Sequence, residues 1–475
     1  MLFNSLVFLV FLGVVVPLFY LLRNKTHKKY LLLAASYVFY GYWDWRFCSL
    51  LLLSTVMDYY LGHYIHDAKS EKSRRRMLHL SLFVNLALLG FFKYFNFFIE
   101  SFSSAFGTPV DFLHLNIILP VGISFYTFQS LSYTFDVYRR RMEPSNSLLD
   151  YALFVSFFPQ LVAGPIEKAI DLLPQVSELS KPKKDDIKEG LVLITIGMFM
   201  KVMIGDTIGK YVDHIFTEPT YYASGELLCA LILFSLQIYA DFSGYSKIAK
   251  GCGKLLGVTL IDNFNQPYLA SNITDFWRRW HISLSSWLKD YLYIWWLGGN
   301  KKGKVRTYIN LMVTMLLGGL WHGANWTFMV WGGIHGAALA VHKFFLGEKK
   351  PETHFVYKGA GSVAKYVIGV LLTYLVVLFA WLFFRAPDFS TAGYILQQFV
   401  NWNCSEIMNE FIRVTVMYAL VVIVLDAIEY YTKRHDYLML LKPAVRYGIM
   451  VPVWAMIIMF MYTVGKPAPF IYFQF

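Results

Sequence analysis

Apolar residues fall in long blocks separated by short basic stretches, a pattern that predicts a chain of membrane-crossing helices. The blocks lie at about 1–22, 30–44, 47–66, 78–98, 117–137, 189–209, 225–245, 306–320, 324–344, 362–384, 411–431 and 446–464. Several approach the roughly 20 residues needed to cross the hydrocarbon core. Alternating sides along them gives about twelve spans with both termini outside. The first block has no basic run before it and its positive charges follow it, so it is expected to be a span and not a cleaved signal.

Two stretches break this rhythm. Residues 151–163 (YALFVSFFPQLVA) are apolar but carry basic clusters on both flanks, so they are expected to dip in and return, or to lie along the interface. Pro159, Gly164 and Pro165 fit a broken segment there. Residues 246–305 are rich in Trp and basic residues. From Trp277 the apolar positions Trp280, Leu284, Trp287, Leu288 and Tyr291 fall at helical spacing, while Arg278, Arg279 and Lys289 lie off that stripe. Short amphipathic helices at the cytoplasmic interface, or helices that re-enter the protein, are expected. No linker, heptad run or internal repeat divides the chain, so a single domain over 1–475 is expected. The fold class is an all-α polytopic membrane protein with re-entrant or interfacial helices.

Composition agrees, since 57% hydrophobic and 16% charged residues are more apolar surface than a soluble core hides. The net charge of +12 does not point to nucleic acid, because the basic residues cluster between apolar blocks. The loops assigned to the cytoplasm hold 34 of the 43 Lys and Arg residues, the asymmetry expected of cytoplasmic loops. Of the rest, Arg46, Lys210, Arg385 and Lys466 lie in outer loops. Lys93, Lys201, Lys343, Lys365 and Arg413 lie within or at the ends of spans, where long side chains are expected to snorkel. Four scattered cysteines with no CxxC pair indicate neither a metal site nor a disulfide framework.

The chemistry is expected between residues 272 and 326, where His281 and His322 bracket the basic, Trp-rich segment and the hydrophobic helix after it. An ionisable group at membrane depth is costly and is a functional candidate by default. The runs YADFSGYS (239–246), NFNQPYL (263–269), DFWRRWHISLSSWLKDYLY (275–293), LGGN (297–300) and WHG (321–323) resemble membrane-bound O-acyltransferases of the bacterial alginate O-acetyltransferase branch. LPVGISFYTFQSLSYTFDVYR (119–139), FFPQLVAGPIE (157–167), WGGIHG (331–336) and the terminal FIYFQF agree, with the family-like core at about 119–336. Lys247, Lys250, Trp295 and Trp296 depart from the family's usual residues. The resemblance implies a central tunnel, a bacterial inner-membrane location, and a family histidine that maps onto His322, with a second on His281.

Attack of a hydroxyl on a thioester needs a group to take the hydroxyl proton, and a buried, neutral histidine is suited to that task. His322, at the end of a span and before Gly323, is the expected general base. His281 is expected to orient the donor, polarise the thioester carbonyl or contact His322; an interfacial histidine beside two arginines would show the same pattern. His335, in GGIHGAA, is read as helix-packing polarity, and Asp241 as a structural hydrogen-bonding partner. A metal site of His281, His322 and His335 lacks a carboxylate partner or a recognisable spacing. Arg278, Arg279 and Lys289 could steer donor phosphates, and lipid headgroups would suit them equally.

The expected activity is transfer of an acyl group, acetyl in the first instance, from a cytoplasmic thioester toward a hydroxyl of an exported polysaccharide. Acetyl-CoA or an acyl-carrier protein would be the donor, with no bound cofactor. A D-alanyl transferase for teichoic acid is the neighbouring alternative. A transporter or flippase is the alternative of a different class, although no inverted repeat supports it. The longest outer loop, about 385–410, is shorter than a domain of roughly 50 residues. A separate extracytoplasmic relay protein is therefore expected to deliver the acyl group.

Overall fold

A computed structural model describes residues 1–107, 113–301, 303–346, 359–464 and 468–471. Lys466, the last four residues of the terminal FIYFQF and most of the basic 345–361 loop lie outside the described residues. Among the described residues every regular element is helical. Six helices among the described residues are long and apolar enough to cross a membrane: Glu71–Phe106, Lys184–Thr217, Ser224–Leu255, Ala360–Arg385, Met408–Thr432 and Pro443–Thr463. The first apolar block forms the shorter helix Leu6–Leu21. The chain separates into two compact units, residues 1–194 with 246–261, and residues 195–245 with 262–475.

The first unit is built around Ile123–Tyr138, in which every residue from Ile123 to Val137 is buried. From Ile123 onward the apolar block 117–137 is therefore a core helix enclosed by protein. Its Ser124, Thr127, Gln129, Ser130, Ser132, Thr134 and Asp136 explain this, because so many polar groups would be costly against lipid. Beside it, Asp58 accepts hydrogen bonds from Ser81 Oγ at 2.6 Å and Asn85 Nδ2 at 2.8 Å. The broken segment is present as Leu148–Ser156 and Phe158–Leu161, with Phe157 between them. Every residue from Tyr151 to Glu167 is buried, so the irregular backbone here is shielded by protein.

In the second unit, helices Lys304–His322 and Trp326–Leu346 pack face to face. A Cβ on Gly332 would lie 2.3 Å from the carbonyl oxygen of Met315, so the close approach exists only because that position is glycine. Lys201 lies in a π turn, Phe199–Gly205, and does not snorkel: it is 1% exposed. Its Nζ reaches Asp206 Oδ1 at 2.6 Å and Asp241 Oδ1 at 2.5 Å, an ion cluster that solvates the charge inside the protein. Asp241 Oδ2 also accepts the backbone N–H of Ile471 at 2.9 Å. The stretch after Arg385, read as an outer loop, contains the helix Phe389–Val400, whose N-cap Asp388 accepts the N–H of Thr391.

Candidate active site

The Trp-rich stretch forms Ile273–Arg279, Ile282–Trp287 and a π-helical turn Leu288–Trp296. The predicted helical stripe is interrupted at His281, which adopts φ 43°, ψ 56° in the left-handed region. A non-glycine residue held there is strained and persists only where its surroundings determine it. Here the surroundings come from the NFNQ run. Ile282 N–H donates to the Asn263 carbonyl at 2.9 Å, and Asn265 N–H donates to the Arg279 carbonyl at 3.0 Å. Trp280, Leu284, Trp287, Leu288 and Tyr291 are all buried, so the stripe faces protein.

The His281 side chain is fully buried and its tautomer can be deduced. Asn263 Oδ1 accepts the backbone N–H of Ser283 at 3.2 Å and the Ser283 hydroxyl at 2.9 Å, and it faces His281 Nδ1 at 3.1 Å. A backbone N–H only donates, which fixes the amide atom facing it as oxygen. His281 Nδ1 must then carry the proton, leaving the lone pair on Nε2. Burial pushes this imidazole down to about 3, so it stays neutral at physiological pH. Asn263 is the residue that sequence reasoning quoted in a motif but gave no role.

His322 closes helix Lys304–His322 and is 2% exposed. Its ring centroid lies 6.3 Å from that of His281. The structure thus brings together the two expected catalytic histidines. Trp321, Trp331 and Phe384 surround His322 at centroid distances of 5.0, 4.9 and 5.3 Å, while Phe242 stands edge-on to His281 at 4.5 Å. This aromatic enclosure is buried and of low polarity, which strengthens any charge stabilisation inside it. Gly323 is again a matter of space, since a Cβ there would meet the Phe328 ring at 2.1 Å.

The three expected cations separate. Arg278 and Lys289 are exposed, whereas Arg279 is 5% exposed and its Nε donates to Asp275 Oδ2 at 2.8 Å. Arg279 therefore braces its own helix. His335 is fully buried beside Trp331, with ring centroids 4.8 Å apart. Among the described residues no group of three or more His, Cys, Asp or Glu side chains is arranged to hold a metal ion.

Comparison with known proteins shows the family of the chain. The model of the membrane-bound O-acyltransferase family matches residues 37–369, wider than the 119–336 blocks and including His281, His322 and Asn263. A probable alginate O-acetylase AlgI of Pseudomonas syringae pv. tomato is 41% identical over 416 residues, covering 86% of this chain and 77% of the relative. A peptidoglycan O-acetyltransferase of Helicobacter pylori is 37% identical over 437 residues, covering 84% and 81%. A teichoic acid D-alanyltransferase of Bacillus subtilis is more distant, 27% identical over 58% of this chain and 70% of its own length. A multi-pass membrane protein and an O-acyltransferase, this chain belongs to the membrane-bound O-acyltransferase family, in its alginate O-acetylase-like branch.

Proposed function

We propose that this enzyme moves an acetyl group from a cytoplasmic thioester across a bacterial inner membrane toward a hydroxyl of an extracytoplasmic polysaccharide. The observation that carries the reading is the meeting of two buried histidines, 6.3 Å between ring centroids, inside an aromatic enclosure of an O-acyltransferase. His322 is the general base. As the hydroxyl oxygen attacks the thioester carbonyl, its proton passes to the His322 imidazole and the C–O bond forms. The C–S bond then breaks and the proton is delivered to the departing thiolate. His281, neutral and with its Nε2 lone pair fixed by Asn263, orients the reacting hydroxyl.

Acetyl-CoA is the expected donor, a substrate and not a resident cofactor. Arg278 and Lys289, exposed on the Trp-rich stretch, meet its phosphates. The donor reaches His322 through a central tunnel among about twelve spans, and a separate extracytoplasmic protein relays the acetyl group to the glycan. The names of the alginate and peptidoglycan relatives support a polysaccharide acceptor. The lower identity and coverage of the D-alanyl transferase give that reading less support.

The test is reconstitution in vesicles with acetyl thioester on one side. His322→Ala is expected to insert and purify normally but to lose transfer by about 10² to 10⁴ in rate. Near-normal turnover in a well-folded His322→Ala protein overturns the mechanism. Efficient glycan acetylation without a second protein removes the relay and leaves the base in place.

A further inference from the structure

His335 lies midway along helix Trp326–Leu346 and has no exposed surface. Its Nδ1 accepts the indole N–H of Trp277 at 3.3 Å. An indole nitrogen only donates, so Nδ1 holds the lone pair and the ring proton sits on Nε2. That N–H has no hydrogen-bond partner among the described residues. A buried donor left without an acceptor is destabilising, and such an orphan in an enzyme points to an acceptor that arrives with a ligand.

The neighbours say which ligand. The Trp331 indole lies 4.8 Å from the His335 ring and 4.9 Å from the His322 ring, so both histidines pack on a single aromatic side chain. The Trp277 ring lies 5.0 Å from His335 and 5.7 Å from Trp331, and the next residue in the chain is the exposed Arg278. His335 is therefore joined through ring contacts both to the histidine assigned to the thioester and to the helix that carries the cation assigned to donor phosphates. A coenzyme A thioester presents its groups in the same order: phosphates, an arm bearing amide carbonyls, then the thioester. We propose that His335 Nε2–H binds an amide carbonyl of the donor's pantetheine arm. Trp277 is the positioning residue that holds the required tautomer.

This assignment rests on thioester-dependent transfer, and the experiment separates the two. Full-length protein is assayed with acetyl-CoA, with an acetylated carrier protein bearing the same arm, and with S-acetyl-2-mercaptoethanol, which has no amide. His335→Phe is expected to raise KM for the arm-bearing donor that the wild type accepts by roughly 5- to 100-fold. It leaves kcat and the kinetics of the amide-free thioester near wild-type values. His335→Gln, which keeps an N–H donor near the Nε2 position, recovers most of the loss. Trp277→Phe, which frees the ring to place its proton on either nitrogen, shows a smaller rise with the same donor dependence and serves where His335→Phe does not fold. Equal losses on amide-bearing and amide-free donors, or no loss on either, overturn the His335 assignment while wild-type transfer stands. A wild-type chain that uses no thioester removes the proposed function and His335's role together.

Discussion

At the scale of single residues, the site depends on an amide that carries no charge. Asn263 Oδ1 gathers two donors from Ser283 and the ring N–H of His281, and it thereby sets which imidazole nitrogen can accept a proton. Asn263→Ala leaves these buried donors without an acceptor, a destabilisation of about 1–3 kcal/mol or more. It is expected to lower kcat with little change in donor KM and to lower the melting temperature. Asn263→Asp keeps the acceptor but sets a carboxylate beside the ring. That favours the charged imidazolium, raising the folded-state pKa, so activity should fall on the acidic side at a higher pH than in the wild type. An unshifted pH profile and wild-type kcat in both variants would remove Asn263 from the site. The histidines were legible in the sequence because ionisable side chains stand out against an apolar background. Asn263 was not, because an amide in a polar run has no periodic signature and its importance comes from a backbone pairing that forms only on folding.

At the scale of elements, hydropathy located the blocks well but not their surroundings. The block 117–137 and the span Ala360–Arg385 are both read as helices, yet the first is enclosed by protein while the second leaves Leu371, Leu372 and Leu375 exposed. Hydroxyl groups recurring every two or three residues along 124–134 were the available signal, and it is weak because serine and threonine also occur in lipid-facing helices. The π turn Phe199–Gly205 was invisible for a different reason. Its i→i+5 bonding brings Asp206 round to the face of Lys201, a relation that no 3.6-residue period contains. Removing one partner of such a buried ion cluster costs about 3–5 kcal/mol. Lys201→Met is therefore expected to reduce yield of folded protein and its melting temperature sharply, while Lys201→Met combined with Asp206→Asn and Asp241→Asn recovers much of both. A Lys201→Met protein as stable as wild type would show that the cluster is not needed.

At the scale of the whole molecule, the clearest signal was the distribution of positive charge, with 34 of 43 Lys and Arg residues in loops assigned to the cytoplasm. It predicts that the 67–77 loop faces the cytoplasm and the 385–410 loop faces outward. Single cysteines placed in each loop and treated with an impermeant thiol reagent in intact cells check this: the second should label and the first should not. The Lys201 cluster bears on how such a chain is made. Ribosomes deliver membrane segments to the bilayer one after another, and Lys201 and Asp206 leave together on one stretch with their charges cancelling. Asp241 follows on the next stretch, where no cation lies between Ser224 and Ser246. Its counter-ion is already waiting on the segment before it, so this pair of segments is best handed to lipid as a hairpin, with the lysine acting as chaperone to a carboxylate not yet synthesised.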